Sequence, residues 1–313
     1  LGRRDTRKEP LAMATEGISA YLNPAQMAKL NRLALNSRYV VEGTLAGRHR
    51  SAQKGASTEF ADHRSYMPGD DLKRIDWKVL GRTDKYYVRR YQDETNLRVY
   101  LLIDRSGSMN YTSGDQPTKF SYACTLAAAI GYVVLKARDA VGMYIYGEKM
   151  DAALPCKNSF NELNNALKVL QGYKPAKGTA GADVMHLIAE SINRRAMIVI
   201  ISDLLDNQPE IIKAIAHFRK NLHDVIVFHT LDPVELNLDI RRGAEFEDLE
   251  TGERMIADPR AMAKEYKDLM GAFIEDYRKS CAEMKVDYRL VKTDEPVDTF
   301  VRAYLEERKR LSR

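Results

Sequence analysis

Val99-Tyr100-Leu101-Leu102-Ile103 is followed at once by Asp104-Arg105-Ser106-Gly107-Ser108. A five-residue apolar run is too short for a helix and reads as a strand buried on both faces. In extended chain alternate side chains point the same way. Asp104, Ser106 and Ser108 are therefore expected to present three oxygens to one point, with Gly107 allowing a tight turn between them. Taken alone, Asp-x-Ser-x-Ser is no more than the composition of a capped turn. Its meaning depends on what the rest of the chain brings to it.

Downstream, the pattern alternates. Phe120, Leu126, Ile130, Val133 and Val134 share one side of a helix, and Val141 to Tyr146 reads as a strand. Phe160, Leu163, Leu167 and Leu170 mark a second helix, and Ala182 to Asn193 a third. Met197 to Ile201 is a wholly apolar strand, Pro209 to Asn221 a helix and Val225 to Thr230 a strand. A hairpin with Gly252 in its turn follows, then a long helix from Pro259 to Met284, a strand from Val286 to Val291 and a helix from Val297 to Arg310. Short apolar runs alternating with amphipathic helices predict an α/β fold: an open, mainly parallel sheet flanked by helices.

This domain is expected to span residues 97–313. Residues 1–37 read as a polar lead-in and a helix, with Asn23-Pro24 as cap and first-turn proline before Met27, Leu30, Leu33 and Ala34. Residues 38–96 read as a β-rich attachment. Pro68-Gly69-Asp70-Asp71 is a turn, Lys85 to Tyr91 an exposed strand, and Trp77, the single tryptophan, a core anchor packing the attachment against the sheet.

Two further oxygen donors fall where such topology collects ligands. Asp203 ends the strand Met197 to Ile201, and Thr179 lies in the loop Lys177-Gly178-Thr179-Ala180-Gly181 before a helix. In open α/β sheets, ligands bind beyond the carboxyl ends of the strands. Asp104, Ser106, Ser108, Thr179 and Asp203 make a set of hard oxygens without His or Cys, which favours Mg²⁺ or Mn²⁺ over zinc or copper. Such a site leaves coordination positions to water or to an outside carboxylate.

Composition excludes several classes. The net charge of +5 arises from mixed charges, and a nucleic-acid binder concentrates its basic residues on one face. Lys73, Arg74, Lys78, Arg82, Lys85, Arg89 and Arg90 are interleaved with Asp70, Asp71, Asp76, Asp84 and Asp93, the pattern of solvated ion pairs. The longest apolar stretch, Leu126 to Leu135, falls short of the roughly 20 residues of a membrane-spanning helix. Cys124, Cys156 and Cys281 are far apart and odd in number, which suits a reducing compartment. The start, Leu1-Gly2-Arg3-Arg4-Asp5, lacks the apolar stretch of a signal peptide. A cytoplasmic setting is expected. His49, His63, His186, His217, His223 and His229 show no ligand spacing and read as ordinary surface or core residues.

The ordered set Asp104, Ser106, Ser108, Thr179, Asp203 resembles the metal-ion-dependent adhesion site of von Willebrand factor A domains, in which the motif is Asp-x-Ser-x-Ser, then Thr, then Asp. In that family a Glu or Asp of the bound partner completes the metal's shell. A second resemblance covers the preceding segment. Glu59-Phe60, Arg64-Ser65-Tyr66, Gly69-Asp70-Asp71-Leu72, Ile75-Asp76-Trp77, Arg82-Thr83 and Arg89-Arg90-Tyr91 before Glu94-Thr95 are similar to the signature of the bacterial family called domain of unknown function 58. Members of that family occur beside MoxR-type AAA+ ATPases. The resemblance therefore implies a non-enzymatic adaptor or chaperone-like assembly factor that grips a protein partner, such an ATPase or its client, through Mg²⁺ or Mn²⁺.

Two alternatives stand beside it. A haloacid-dehalogenase-like phosphatase would use Asp104 as nucleophile with Lys177 and Asp203, but Ser106 stands where its general acid belongs. A structural scaffold with a vestigial metal site is the other. No P-loop spacing surrounds Lys177-Gly178-Thr179, and no Gly-x-Ser-x-Gly elbow is present.

Overall fold

The computed structural model describes residues 16–31, 59–67, 75–92, 97–176, 180–238, 244–247, 254–257 and 259–311. The chain divides into two units, Leu1–Thr44 together with Leu97–Arg313, and Leu45–Asn96. The turn read at Pro68 to Asp71 and the one at Gly252 lie outside the described residues.

In the smaller unit, β1 (Glu59–Ser65) pairs antiparallel with β2 (Tyr87–Gln92), Ser65 opposite Tyr87 and Glu59 opposite Gln92. A helix at Trp77–Thr83 was not evident from the apolar pattern, because none of its residues is buried. Its local signal is Asp76, whose carboxylate accepts from the backbone N–H groups of Lys78 and Val79 at 3.0 and 3.3 Å. Within its own unit Trp77 is not a core anchor: the residue is 62% exposed. Ile75, bridged to Val88, is buried instead, as is Val88. The cap turns the chain into the helix immediately after Ile75, so burial ends one residue before the tryptophan is displayed.

The larger unit carries β3 (Arg98–Asp104), β4 (Ala140–Tyr146), β5 (Met150–Lys157), β6 (Met197–Ser202), β7 (Asp224–Leu231) and β10 (Asp287–Lys292). They form one six-stranded sheet in the order β10-β7-β6-β3-β4-β5. All pairs are parallel except β4 with β5. The fold is thus an open, mainly parallel α/β sheet flanked by helices. Between β6 and β3 the direction of winding reverses: β4 lies on one side of β3, and β6 and β7 on the other. A separate hairpin pairs β8 (Ala244–Glu247) with β9 (Arg254–Ala257).

The antiparallel edge strand β5 is absent from the sequence reading. Pro155 interrupts it, and proline is tolerated only at sheet edges, where a strand carries a weak apolar signal.

Alternation along the strands divides the core into two layers. Val99, Leu101 and Ile103 pack with the helices Lys119–Lys136 and Val297–Leu311. Leu102, Ile198 and Ile200 pack with Gly181–Ser191, Gln208–Lys220 and Tyr277 of the long helix Pro259–Glu283. Each fully buried side chain of this size contributes about 1.5–3 kcal/mol, so the central strands hold their places firmly. Ile18, Leu22 and Leu30 join the first layer. The Asn164 side chain accepts hydrogen bonds from the backbone N–H groups of Gly17 and Ile18, tying this N-terminal segment to the helix Phe160–Gln171. Among the described residues, no helix is long and apolar enough to cross a membrane.

Candidate metal centre

β3 and β6 are neighbours, and their carboxyl ends flank the point where the winding reverses. That is where an open α/β sheet leaves a crevice. Asp104 closes β3, and Asp203 follows the last residue of β6. Both carboxylates are buried, 8% and 1% exposed. They line a small cleft of about 20 Å³ together with Ser106, Tyr146, Ser202 and Asp206. A space of that size holds about one water-sized species.

The three residues of the motif do not converge by strand alternation, as the sequence had suggested. β3 stops at Asp104, and Gly107–Asn110 forms a 3-10 turn. The turn folds Ser108 back so that its hydroxyl shares a 3.1 Å hydrogen bond with that of Ser106. Ser108 also hydrogen-bonds the Asp203 carboxylate. The Ser106 backbone N–H donates to Asp104 Oδ1 at 2.8 Å. Asp104, Ser106, Ser108 and Asp203 are thereby brought together. Thr179 lies outside the described residues. On the near side of its loop, Ala176 is bridged to Ser106 and donates its N–H to the Arg105 carbonyl at 2.9 Å.

Several residues that build the site carry no motif. Ser202 donates to Asp104 Oδ2 at 2.5 Å and accepts from Leu204 N–H at 2.9 Å. Leu204 is held in the left-handed region at φ 54°, a strained conformation for a branched side chain. It stays there because Ser202 holds its N–H and Tyr277 donates its phenolic hydrogen to its carbonyl at 3.1 Å. Arg105 pairs with Asp151 at 2.5 Å, donates to the Lys174 carbonyl at 3.1 Å and lies over the Tyr173 ring. It thereby pins the segment that precedes residue 177.

Lys119 is the other unforeseen member. Its ammonium is wholly buried, 2.7 Å from Asp203 Oδ2 and 2.6 Å from Glu235 Oε1. Glu235 in turn accepts from the Asp232 N–H at 2.9 Å. One signal for Lys119 was present in the sequence: a lysine on the apolar side of an otherwise apolar helix start.

The charges follow from this geometry. Burial, and then the facing charge of Asp203, push the Asp104 carboxyl up to about 7, against the hydrogen bonds from Ser202 and Ser106. Burial also opposes ionisation of Asp203, yet the Lys119 ammonium beside it holds its carboxyl below the usual range. His229, behind the site, is pushed down to about 4 by burial. Its Nε2 is 2.8 Å from the Asp203 carbonyl and its Nδ1 is 2.6 Å from the Tyr288 hydroxyl. Asp203 and Glu235 thus share one buried ammonium, whereas Asp104 faces Asp203 and is held by Ser202 and the Ser106 N–H. The oxygen donors present suit Mg²⁺ or Mn²⁺, and a cation would relieve the repulsion that burdens Asp104.

The fold and this crevice define an open-sheet α/β protein with an oxygen-lined site at its winding reversal. Residues 62–271, more than half of the chain, match the family model described as "Protein of unknown function DUF58", and the chain belongs to that family. An uncharacterised protein of Mycobacterium tuberculosis H37Rv is 27% identical over 235 residues, covering 74% of this chain and 73% of that protein. An uncharacterised protein of Mycobacterium bovis matches to the same extent. An aerotolerance-related membrane protein from Bacteroides fragilis aligns structurally with a TM-score of 0.45 at 19% identity, over 68% of this chain and 99% of that one. The conserved hypothetical protein BatB from Bacteroides thetaiotaomicron aligns at 0.42 and 16%, with the same coverage.

Proposed function

We propose that this chain is a non-enzymatic protein-binding module whose grip depends on Mg²⁺ or Mn²⁺. One observation carries the reading: two buried carboxylates from adjacent strand ends line one small cleft with Ser106, whose hydroxyl is hydrogen-bonded to that of Ser108. Ser106 and Ser108 would hold the ion directly, and Asp104, Thr179 and Asp203 directly or through water. The bound ion would supply a Lewis-acidic position for a Glu or Asp of the partner.

The chain's own residues prepare that position. Ser202 and the Ser106 N–H fix the Asp104 carboxylate, and Lys119 keeps Asp203 ionised and oriented. Ser106, where a haloacid-dehalogenase-like phosphatase carries its general acid, supports binding rather than phosphoryl chemistry. The partner we favour is a MoxR-type AAA+ ATPase or a client it remodels, in keeping with the resemblance of the signature segment. This makes the chain an adaptor or chaperone-like assembly factor. Its three free cysteines suit a cytoplasmic setting.

Calorimetric titration of Mg²⁺ and Mn²⁺ into metal-free protein, beside Asp104→Ala, tests the site. Saturable binding that the variant loses is the expected result. Capture of the ATPase, repeated in excess chelator, tests the mechanism; capture that persists in chelator overturns it.

A further inference from the structure

The helices Gly181–Ser191 and Gln208–Lys220 lie side by side. They run in the same direction, since His186 meets His217 and, one turn further along each, Ala189 accepts a hydrogen bond from Asn221. The two imidazoles, thirty-one positions apart in the chain, stand with Nδ1 facing Nδ1 at 2.9 Å. Their ring centroids are 5.1 Å apart and tilted by 43°. Both rings are partly exposed. Between two neutral imidazoles this contact is one N–H···N hydrogen bond, with the rings in opposite tautomers.

The same spacing is that of two ligands on one ion. Nitrogens each about 2.0–2.1 Å from a metal stand about 2.9 Å apart at a right angle and about 3.4 Å apart at the tetrahedral angle. The observed distance is the right-angled one, that of neighbouring ligands in square-planar, tetragonal or octahedral sites, and imidazole nitrogens in such sites favour Cu²⁺ or Ni²⁺. We propose that His186 and His217 form a two-imidazole site for a tetragonal divalent transition-metal ion, with Cu²⁺ the preferred occupant.

Binding moves the shared Nδ1 proton to the far nitrogen, Nε2, of the same ring, so no proton is released and nothing is oxidised or reduced. No third His, Cys, Asp or Glu joins the pair among the described residues, so water fills the remaining positions and the ion exchanges. The site is chemically distinct from the oxygen-lined cleft: imidazole nitrogens favour copper and nickel, whereas the carboxylates and hydroxyls favour magnesium. It would staple two helices of which one begins at Gly181, in the cleft lining, and the other follows Leu204, Leu205 and Asp206, which line it too.

The test uses the full chain at neutral pH in excess Mg²⁺. Cu²⁺ is titrated calorimetrically into the unaltered protein, His186→Ala, His217→Ala and Asp104→Ala. One equivalent is expected to bind the unaltered protein and Asp104→Ala alike, and at least tenfold more weakly to either histidine variant. On the unaltered protein, substoichiometric Cu²⁺ should broaden the ring signals of His186 and His217 in NMR. Unchanged affinity in both histidine variants, or broadening of other histidines only, overturns the proposal.

Discussion

The ammonium of Lys119 lies 2.7 Å from Asp203 and 2.6 Å from Glu235, and none of it reaches solvent. A buried cation between two carboxylates is weak evidence of added stability, because desolvation offsets most of the attraction. Removing one member is another matter, since the others are then left buried and uncompensated.

Lys119→Met should therefore cost about 3–5 kcal/mol, measured by urea unfolding. Under the proposed function, millimolar Mg²⁺ should recover part of that loss in the variant, because the ion replaces the missing positive charge. A cost well below this range would mean that the carboxylates find compensation elsewhere.

Ser202→Ala removes the donor to Asp104 and the acceptor for Leu204 N–H in one step. Each buried polar group left unsatisfied costs about 1–3 kcal/mol. The variant should unfold at lower urea with an unchanged slope, and it should bind Mg²⁺ more weakly, because Asp104 is no longer held in place. Unaltered Mg²⁺ affinity would show that Ser202 serves packing alone.

His229 makes stability fall toward acid. Burial depresses it from 6.5 to about 4 in the folded protein. The unfolded chain gains its proton below pH 6.5, whereas the folded one resists until about pH 4. The contribution is thus complete above pH 6.5 and is lost as pH falls through that window. At about 1.4 kcal/mol per pKa unit, the loss amounts to roughly 2 kcal/mol by pH 5. Unfolding at pH 7 and pH 5 should show a smaller difference in His229→Gln than in the unaltered protein; equal differences would refute the assignment.

Asn164→Ala should release the N-terminal segment. Gly17 and Ile18 would lose their shared acceptor, and the start of the segment would be held by the apolar contacts of Ile18 and Leu22, while Lys29 and Asn31 keep their partners Asp298 and Tyr132 further along. Limited proteolysis should cut it away faster while the fragment carrying the sheet stays intact. Cutting at an unchanged rate would place the anchor in the apolar contacts.

The alternation of apolar runs and amphipathic stretches was enough to place β3, β4, β6, β7 and β10 and the longer helices between them, though not the short helix Pro233–Asn237, because burial on both faces forces continuous apolar strands. It did not reveal β5, a proline-bearing edge strand, or the helix Trp77–Thr83, which buries nothing. Asp104, Ser106, Ser108 and Asp203 were legible as oxygen donors at strand ends.

Their supports were not legible. Ser202, Lys119 and Glu235 are common residue types at no diagnostic spacing, and only the sheet order brings strand ends and a helix start to one point. The histidines teach the same lesson: separated by thirty-one positions, His186 and His217 meet only because two helices pack in parallel. By itself the sequence determined the layered α/β architecture and the donors that end its strands, since these follow from local periodicity and chemistry. The tertiary structure alone decided which charges face each other and which polar groups pair, because those relationships depend on distances between segments remote in the chain.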